Sequence, residues 1–265
     1  MHPAHEIPQH GNLVPAYSRF ILLTYLNQVA QTISAKLTLD HTRDERGLTD
    51  DLIEELVRWD QTTLPESLHY EGWRLELRMS KVTQKLESQL GADLGLITTL
   101  STRMCRVEKA LLFQCKRLHP TGQSEFTPES CYGDLMEEHG RKQATDMLAH
   151  TPASFFLLFN PRISHVHNDL ELINSKPLRE DHGVSLHAGF QDILILPATT
   201  RIGMHSTGGL EDLFPYTTCF SQFIVQDVFQ CNVGDASALA LATARNKNEE
   251  FRVRISLEMD LLFED

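Results

Sequence analysis

The sequence predicts an α/β protein, and three observations carry that expectation. Residues 16–40 repeat apolar side chains at helical spacing. Residues 73–78 alternate apolar and charged side chains. Three short apolar runs, beginning at Ala92, Ala110 and Ser154, are bounded by turn formers. The 265 residues, 41% hydrophobic and 23% charged, are enough for a substantial core and have an ordinary globular composition. No linker, internal repeat or low-complexity tract divides the chain, so a single elaborated domain over 1–265 is expected.

The elements follow in order. Phe20, Leu22, Leu23, Leu26, Val29, Ile33 and Leu37 predict an N-terminal helix. After the charged turn HTRDERG, Thr49 is a candidate cap for a second helix that buries Leu52, Ile53, Leu56, Val57 and Trp59. Pro65 ends that region. Trp73, Leu75 and Leu77, alternating with Arg74, Glu76 and Arg78, predict a half-exposed strand. Ala92–Leu100 reads as a more buried strand, and Ala110–Phe113 starts a third that ends at Gln114-Cys115-Lys116. Residues 120–128 are a loop. Leu135–His150 fits a helix with Met136, Ala144, Met147 and Leu148 inward, and Ser154–Phe159 a buried strand. Further on, 161–189 is a polar excursion and Ile193–Pro197 another central strand. Residues 220–228 fit either a strand or a helix. Phe251, Val253, Ile255, Leu257 and Met259 alternate as a last strand.

Several function classes find no support. No apolar run reaches the roughly 18 residues that span a bilayer, and the start MHPAHEIPQHGNLVP has no signal-peptide pattern, so no membrane association is expected. The five cysteines are scattered, with no C-x-x-C pair, which fits a reducing cytoplasm. There is no P-loop, no G-x-G-x-x-G fingerprint and no nucleophile elbow.

The residues that carry chemistry lie at the ends of the second and third strands. Alternation points Gln114 and Lys116 the same way and Cys115 the other. If the strands are neighbours, Asp93 converges with Gln114 and Lys116. A carboxylate there suits a hard divalent cation, and the Lys116 ammonium suits the charge of a phosphoryl-transfer transition state. Gln114 is an odd residue to place inside an apolar run unless it faces a polar site.

The sequences Gly91-Ala92-Asp93 and Gln114-Cys115-Lys116, each tied to an apolar strand, resemble the PD-(D/E)XK, restriction-endonuclease-like nuclease superfamily in its E…D…QxK variant. The order of elements over residues 49–160 resembles that superfamily's αβββαβ core with a mixed central sheet; the first helix precedes it and 161–265 would extend it. The resemblance implies an Mg²⁺- or Mn²⁺-dependent endonuclease acting on DNA. Asp93, Glu87 and Gln114 would form the metal site, and Lys116 would activate the attacking water. Glu87, in the connection leading to Asp93, ranks first as the completing acid, and Glu55, on the preceding helix, second. Arg117, Lys109 and Gln143 are the candidate nucleic-acid contacts, although Gln143 also reads as an ordinary exposed helix glutamine. By the same analogy the chain would be a regulated effector in prokaryotic defence against phage, acting as a homo-oligomer or with a partner ATPase, helicase or sensor. The alternative is a non-catalytic interaction subunit on the same fold.

Charge opposes simple DNA binding. The formal net charge is −12, whereas residues 101–120 carry Arg103, Arg106, Lys109, Lys116 and Arg117 against Glu108 alone. That pattern predicts a weakly basic rim on an acidic body. A different metal reading comes from His165, His167, His182, His187 and His205, but they lie among loop formers with no tightly spaced third ligand.

Overall fold

The computed structural model describes residues 16–61, 73–102, 106–122, 125–162, 193–204, 210–230, 232–245 and 250–253. Asp44 starts the helical pair's second member: its Oδ1 accepts from Gly47 N at 2.7 Å, an N-cap bond three residues in. The two helices are α1 (Ala16–Leu39) and α2 (Glu45–Gln61). Thr49 is therefore no cap; it lies one turn inside α2, with its hydroxyl on the Glu45 carbonyl. Leu22, Leu26, Ile33 and Leu37 of α1 and Leu48, Leu52, Ile53 and Leu56 of α2 are buried together.

Among the described residues, seven strands form one mixed sheet in the order β6-β5-β4-β3-β2-β1-β7. They are β1 (Trp73–Lys81), β2 (Leu94–Thr102), β3 (Arg106–Arg117), β4 (Ser154–Phe159), β5 (Ile193–Pro197), β6 (Thr218–Cys219) and β7 (Glu250–Val253). β1, β2 and β3 make an antiparallel meander, and β3 pairs parallel with β4. A parallel pair needs a crossover, supplied here by helix α4 (Glu138–His150). β5 and β6 then add antiparallel beyond β4, and β7 adds beyond β1. The residues after 160 thus extend the sheet at both edges. The α/β class read from the sequence holds.

Both faces of the sheet are covered. Leu111, Phe113 and Cys115 of β3 pack towards α1, α2 and the helical segment 220–228. Leu112 and Leu118 face the opposite layer, where Ala144 and Met147 of α4 meet Leu194 and Leu196 of β5. Burial on both faces explains the nearly continuous apolar runs of β3, β4 and β5.

Some elements differ from the sequence reading. β3 begins at Arg106, four residues earlier than expected, because its first four residues, Arg106–Lys109, are mostly polar and only partly covered and so carry no apolar run. The 220–228 ambiguity resolves as helix α6 (Phe220–Gln222) widening into a π-helical turn (Phe223–Val228). Between β1 and β2 lies an unforeseen helix, α3 (Gln84–Leu90). It ends on Gly91, at φ +67°, where an added Cβ would stand 2.5 Å from the Gln143 carbonyl oxygen. Glycine is required there twice over, for its left-handed backbone and for the close approach of α4. α4 starts at Glu138, because 132–137 are turns tied by Leu135 N to Tyr132 O and Glu137 N to Asp134 O. The last strand is described only over Glu250–Val253; Ile255, Leu257 and Met259 lie outside the described residues, as do residues 163–189 of the 161–189 excursion and all five histidines of the alternative metal reading.

A short helix, α5 (Ala198–Gly203), follows β5 and carries the fully buried Arg201. Its guanidinium donates to the carbonyls of Leu135 and Glu137, the latter at 2.8 Å. α7 (Ala238–Ala244) is capped by Ser237 and rests on Gly95, where an added Cβ would be 2.6 Å from the Ala244 carbonyl oxygen.

Candidate functional site

Asp93 sits one residue before β2, held there by its own N–H on the Phe113 carbonyl at 2.8 Å. This bond joins the start of β2 to β3 just before Gln114. Asp93 Oδ2 accepts two hydrogen bonds, from Gln114 Nε2 at 2.6 Å and from Cys115 N at 2.8 Å. The Gln114 amide is thereby oriented with its nitrogen on the carboxylate. Its other atom, Oε1, is buried and has no hydrogen-bond partner among the described residues.

Glu87, on α3, approaches the same carboxylate. Desolvation first, and then the Glu87 charge, push the Asp93 carboxyl up from its ordinary value near 3.8 to about 7. The hydrogen bond from Cys115 N and the charge of Lys116 oppose that rise without cancelling it. Arg46, in the first turn of α2, lies 3.6 Å from Glu87. Two carboxylates and an unused amide oxygen thus share one small region. Among the described residues no group of three or more His, Cys, Asp or Glu side chains is placed to hold a metal. Any cation here would rely on the amide oxygen as well as the two acids.

Lys116 shares the face of Gln114, as alternation requires, and is buried. Its ammonium pairs at 2.5 Å with Asp134, in the turn before α4. Asp134 also has His139 Nε2 at 3.5 Å from its second oxygen. The sequence reading missed Asp134, His139 and Arg46. A Gly133-Asp134 step ahead of a helix marks a turn, and no register rule connects that turn to a strand end.

The remaining candidates do not gather here. Glu55 faces α1, with its carboxylate 3.3 Å from Lys36 and 3.1 Å from Arg58. Arg117 points to the other side of the sheet, where its guanidinium donates to the His41 carbonyl. There, against the desolvation that raises it, the His119 hydrogen bond first and the Arg117 charge after it hold the Glu45 carboxyl down to about 2. Lys109 is seven residues from Lys116 on an extended strand, about 23 Å at roughly 3.3 Å per residue. Gln143 is buried rather than exposed, its backbone against Gly91 and its Oε1 without a partner.

The expected basic rim is also dispersed. Arg106 pairs with Glu108 at 2.8 Å, and Glu108 pairs again with Arg245, at the end of β3 remote from Lys116. An open surface depression of about 550 Å³ lies at that remote end, lined by Arg106, Val107, Glu108, Ala236 and Leu241. It holds none of the candidate residues.

No family model matches the chain, and no curated protein or solved structure is detectably similar to it.

Proposed function

We propose that this chain is a metal-dependent endonuclease that hydrolyses DNA phosphodiester bonds. The observation that carries the reading is the carboxylate of Asp93, kept desolvated beside Glu87 at the junction of β2 and β3. Like charges held together in a poorly hydrated place are costly unless a shared proton or a cation joins them. The buried, unpartnered Gln114 Oε1 offers that cation a neutral oxygen. Asp93, Glu87 and Gln114 Oε1 would hold Mg²⁺ or Mn²⁺, hard cations that take oxygen ligands. When bound, the ion supplies Lewis-acid polarisation of a phosphoryl oxygen.

The protein's own groups supply the rest. Gln114 Nε2 and Cys115 N fix the Asp93 carboxylate through Oδ2, and Glu87 is hydrogen-bonded to the same carboxyl group. Lys116, on the same face as Gln114, brings a positive charge to the site for the developing charge on phosphate. The meander β1-β2-β3, followed by the α4 crossover to parallel β4, supports the superfamily resemblance by its order and direction of strands. On the same analogy the partners are DNA and either a second copy or a defence ATPase, helicase or sensor. The charge of −12 favours such delivery over unaided capture of DNA.

The Lys116–Asp134 pair favours a second reading, a non-catalytic interaction subunit on this fold, because it occupies the cation that catalysis needs. Incubating supercoiled plasmid with the purified chain and Mg²⁺ or Mn²⁺ separates the two. Cleavage that chelator and Asp93→Asn both abolish is the expected result. Absence of cleavage with either metal, alone and with candidate partners, would favour the interaction subunit.

A further inference from the structure

Lys116 lies two residues beyond Gln114 on one face of β3, yet its ammonium sits on Asp134 rather than on the Asp93–Glu87 pair. Among the influences on Asp93, the Lys116 charge ranks below desolvation, Glu87 and the Cys115 hydrogen bond. The turn that carries Asp134 is firmly placed. Gly133 has φ +55°, the Asp134 carbonyl accepts from Glu137 N and Gly140 N, and an added Cβ on Gly140 would meet the Leu135 carbonyl oxygen at 2.2 Å.

Asp93, Glu87 and Asp134 are the acids around the site; Lys116 and Arg46 are the cations, and each cation is engaged by an acid of the chain. A phosphodiester arriving here meets no uncommitted positive charge among these groups. Asp134 presents one carboxylate oxygen, Oδ1, to the ammonium at hydrogen-bonding distance, the place a phosphate oxygen would take, while its Oδ2 lies towards His139.

We propose that Asp134 is an internal stand-in for substrate phosphate, a latch that occupies Lys116 in the free protein and gives way when a nucleic-acid phosphate takes its place. The proposal rests on the nuclease reading and adds its regulation. The latch lowers affinity for isolated duplex, and any partner contact that draws Asp134 or His139 aside would raise it. His139, more than half exposed, is placed to receive the released carboxylate.

Two measurements on the full chain test this. The first is the rate at which Lys116 is acetylated by an amine-reactive ester, read by peptide mass spectrometry. The second is the affinity for a fluorescent random duplex, with Ca²⁺ in place of Mg²⁺, across a salt series. Asp134→Asn keeps an acceptor for the ammonium and removes the charge; Asp134→Ser is the second variant. Asp146→Asn, in the exposed Lys142–Asp146 pair of α4, controls for loss of one negative charge. Both Asp134 variants are expected to label Lys116 several-fold faster and to bind duplex about 3- to 10-fold tighter. Their salt dependence should steepen by about one contact, a slope change near 0.9. Asp146→Asn should stay within about twofold of the parent. Unchanged Lys116 labelling would overturn the latch itself. Faster labelling without tighter duplex binding would instead overturn the proposal through the nuclease reading on which it rests.

Discussion

Asp93→Asn should make the metal-free protein more stable at neutral and alkaline pH, and the size of the gain can be worked out. Both donors to Asp93, Gln114 Nε2 and Cys115 N, meet the same oxygen, Oδ2. An asparagine can place its one carbonyl oxygen there, keep both bonds and turn its NH₂ towards Glu87. What the substitution removes is the charge. Burial and Glu87 raise the Asp93 carboxyl from near 3.8 to about 7, so the folded state holds its proton more tightly than the unfolded chain does. The sign follows from linkage: a raised acid costs nothing below the unfolded value, and stability falls as pH rises through the interval up to the folded value. Three pH units correspond to about 4 kcal/mol, at roughly 1.4 kcal/mol each, an order-of-magnitude figure. Urea denaturation of the two proteins from about pH 4 to pH 8 reads it directly. They should match near pH 4 and diverge by several kcal/mol near pH 8, with the asparagine protein the more stable. A difference that stays flat with pH, or an asparagine protein that is weaker near pH 8, would refute the account of the carboxylate pair.

Other outcomes follow from the same geometry. Mn²⁺ should raise the melting temperature of the parent protein near pH 8 and leave Asp93→Asn unmoved; calorimetric affinity should fall about tenfold per pH unit below about pH 7, as protons compete for Asp93. Lys116→Ala should lower plasmid cleavage by about 10²–10³-fold while circular dichroism stays that of a folded protein, because one electrostatic group at the reacting phosphate is lost; full activity would remove Lys116 from the chemistry. Gly91→Ala should destabilise the fold by about 2 kcal/mol or more in urea unfolding, from its left-handed backbone and the contact with the Gln143 carbonyl.

Periodicity made much of this architecture legible. The buried strands β4 and β5 are short apolar runs between turn formers, and α1 repeats its leucines at helical spacing over 24 residues. The convergence of Asp93 and Gln114 was also accessible, because alternation fixes a side chain's face and neighbouring strands bring their ends together. What spacing could not reveal was who else arrives. Asp134 reaches Lys116 from a turn 18 residues away, and Arg46 reaches Glu87 across 41 residues. Glu55 looked suitable on its helical face, but the direction of that face is set by packing on α1, where Lys36 claims it. Arg117 departs from expectation for the opposite reason. Its basic character suggested the site, whereas strand parity places it on the far side of the sheet from Lys116.

Arg201 bears on how far this protein can be shortened. Its buried guanidinium, anchored in α5 after β5, grips the carbonyls of Leu135 and Glu137 on either side of Met136, directly after Asp134. The stretch from helix α2 to strand β4 holds Asp93, Gln114 and Lys116, and invites excision as a minimal unit. Such a fragment would leave the Leu135 and Glu137 carbonyls without their donor and strip β4 of its β5 neighbour. The elements beyond residue 192 are therefore a brace for the turn facing Lys116, and a deletion series should lose the behaviour of that lysine before it loses the sheet.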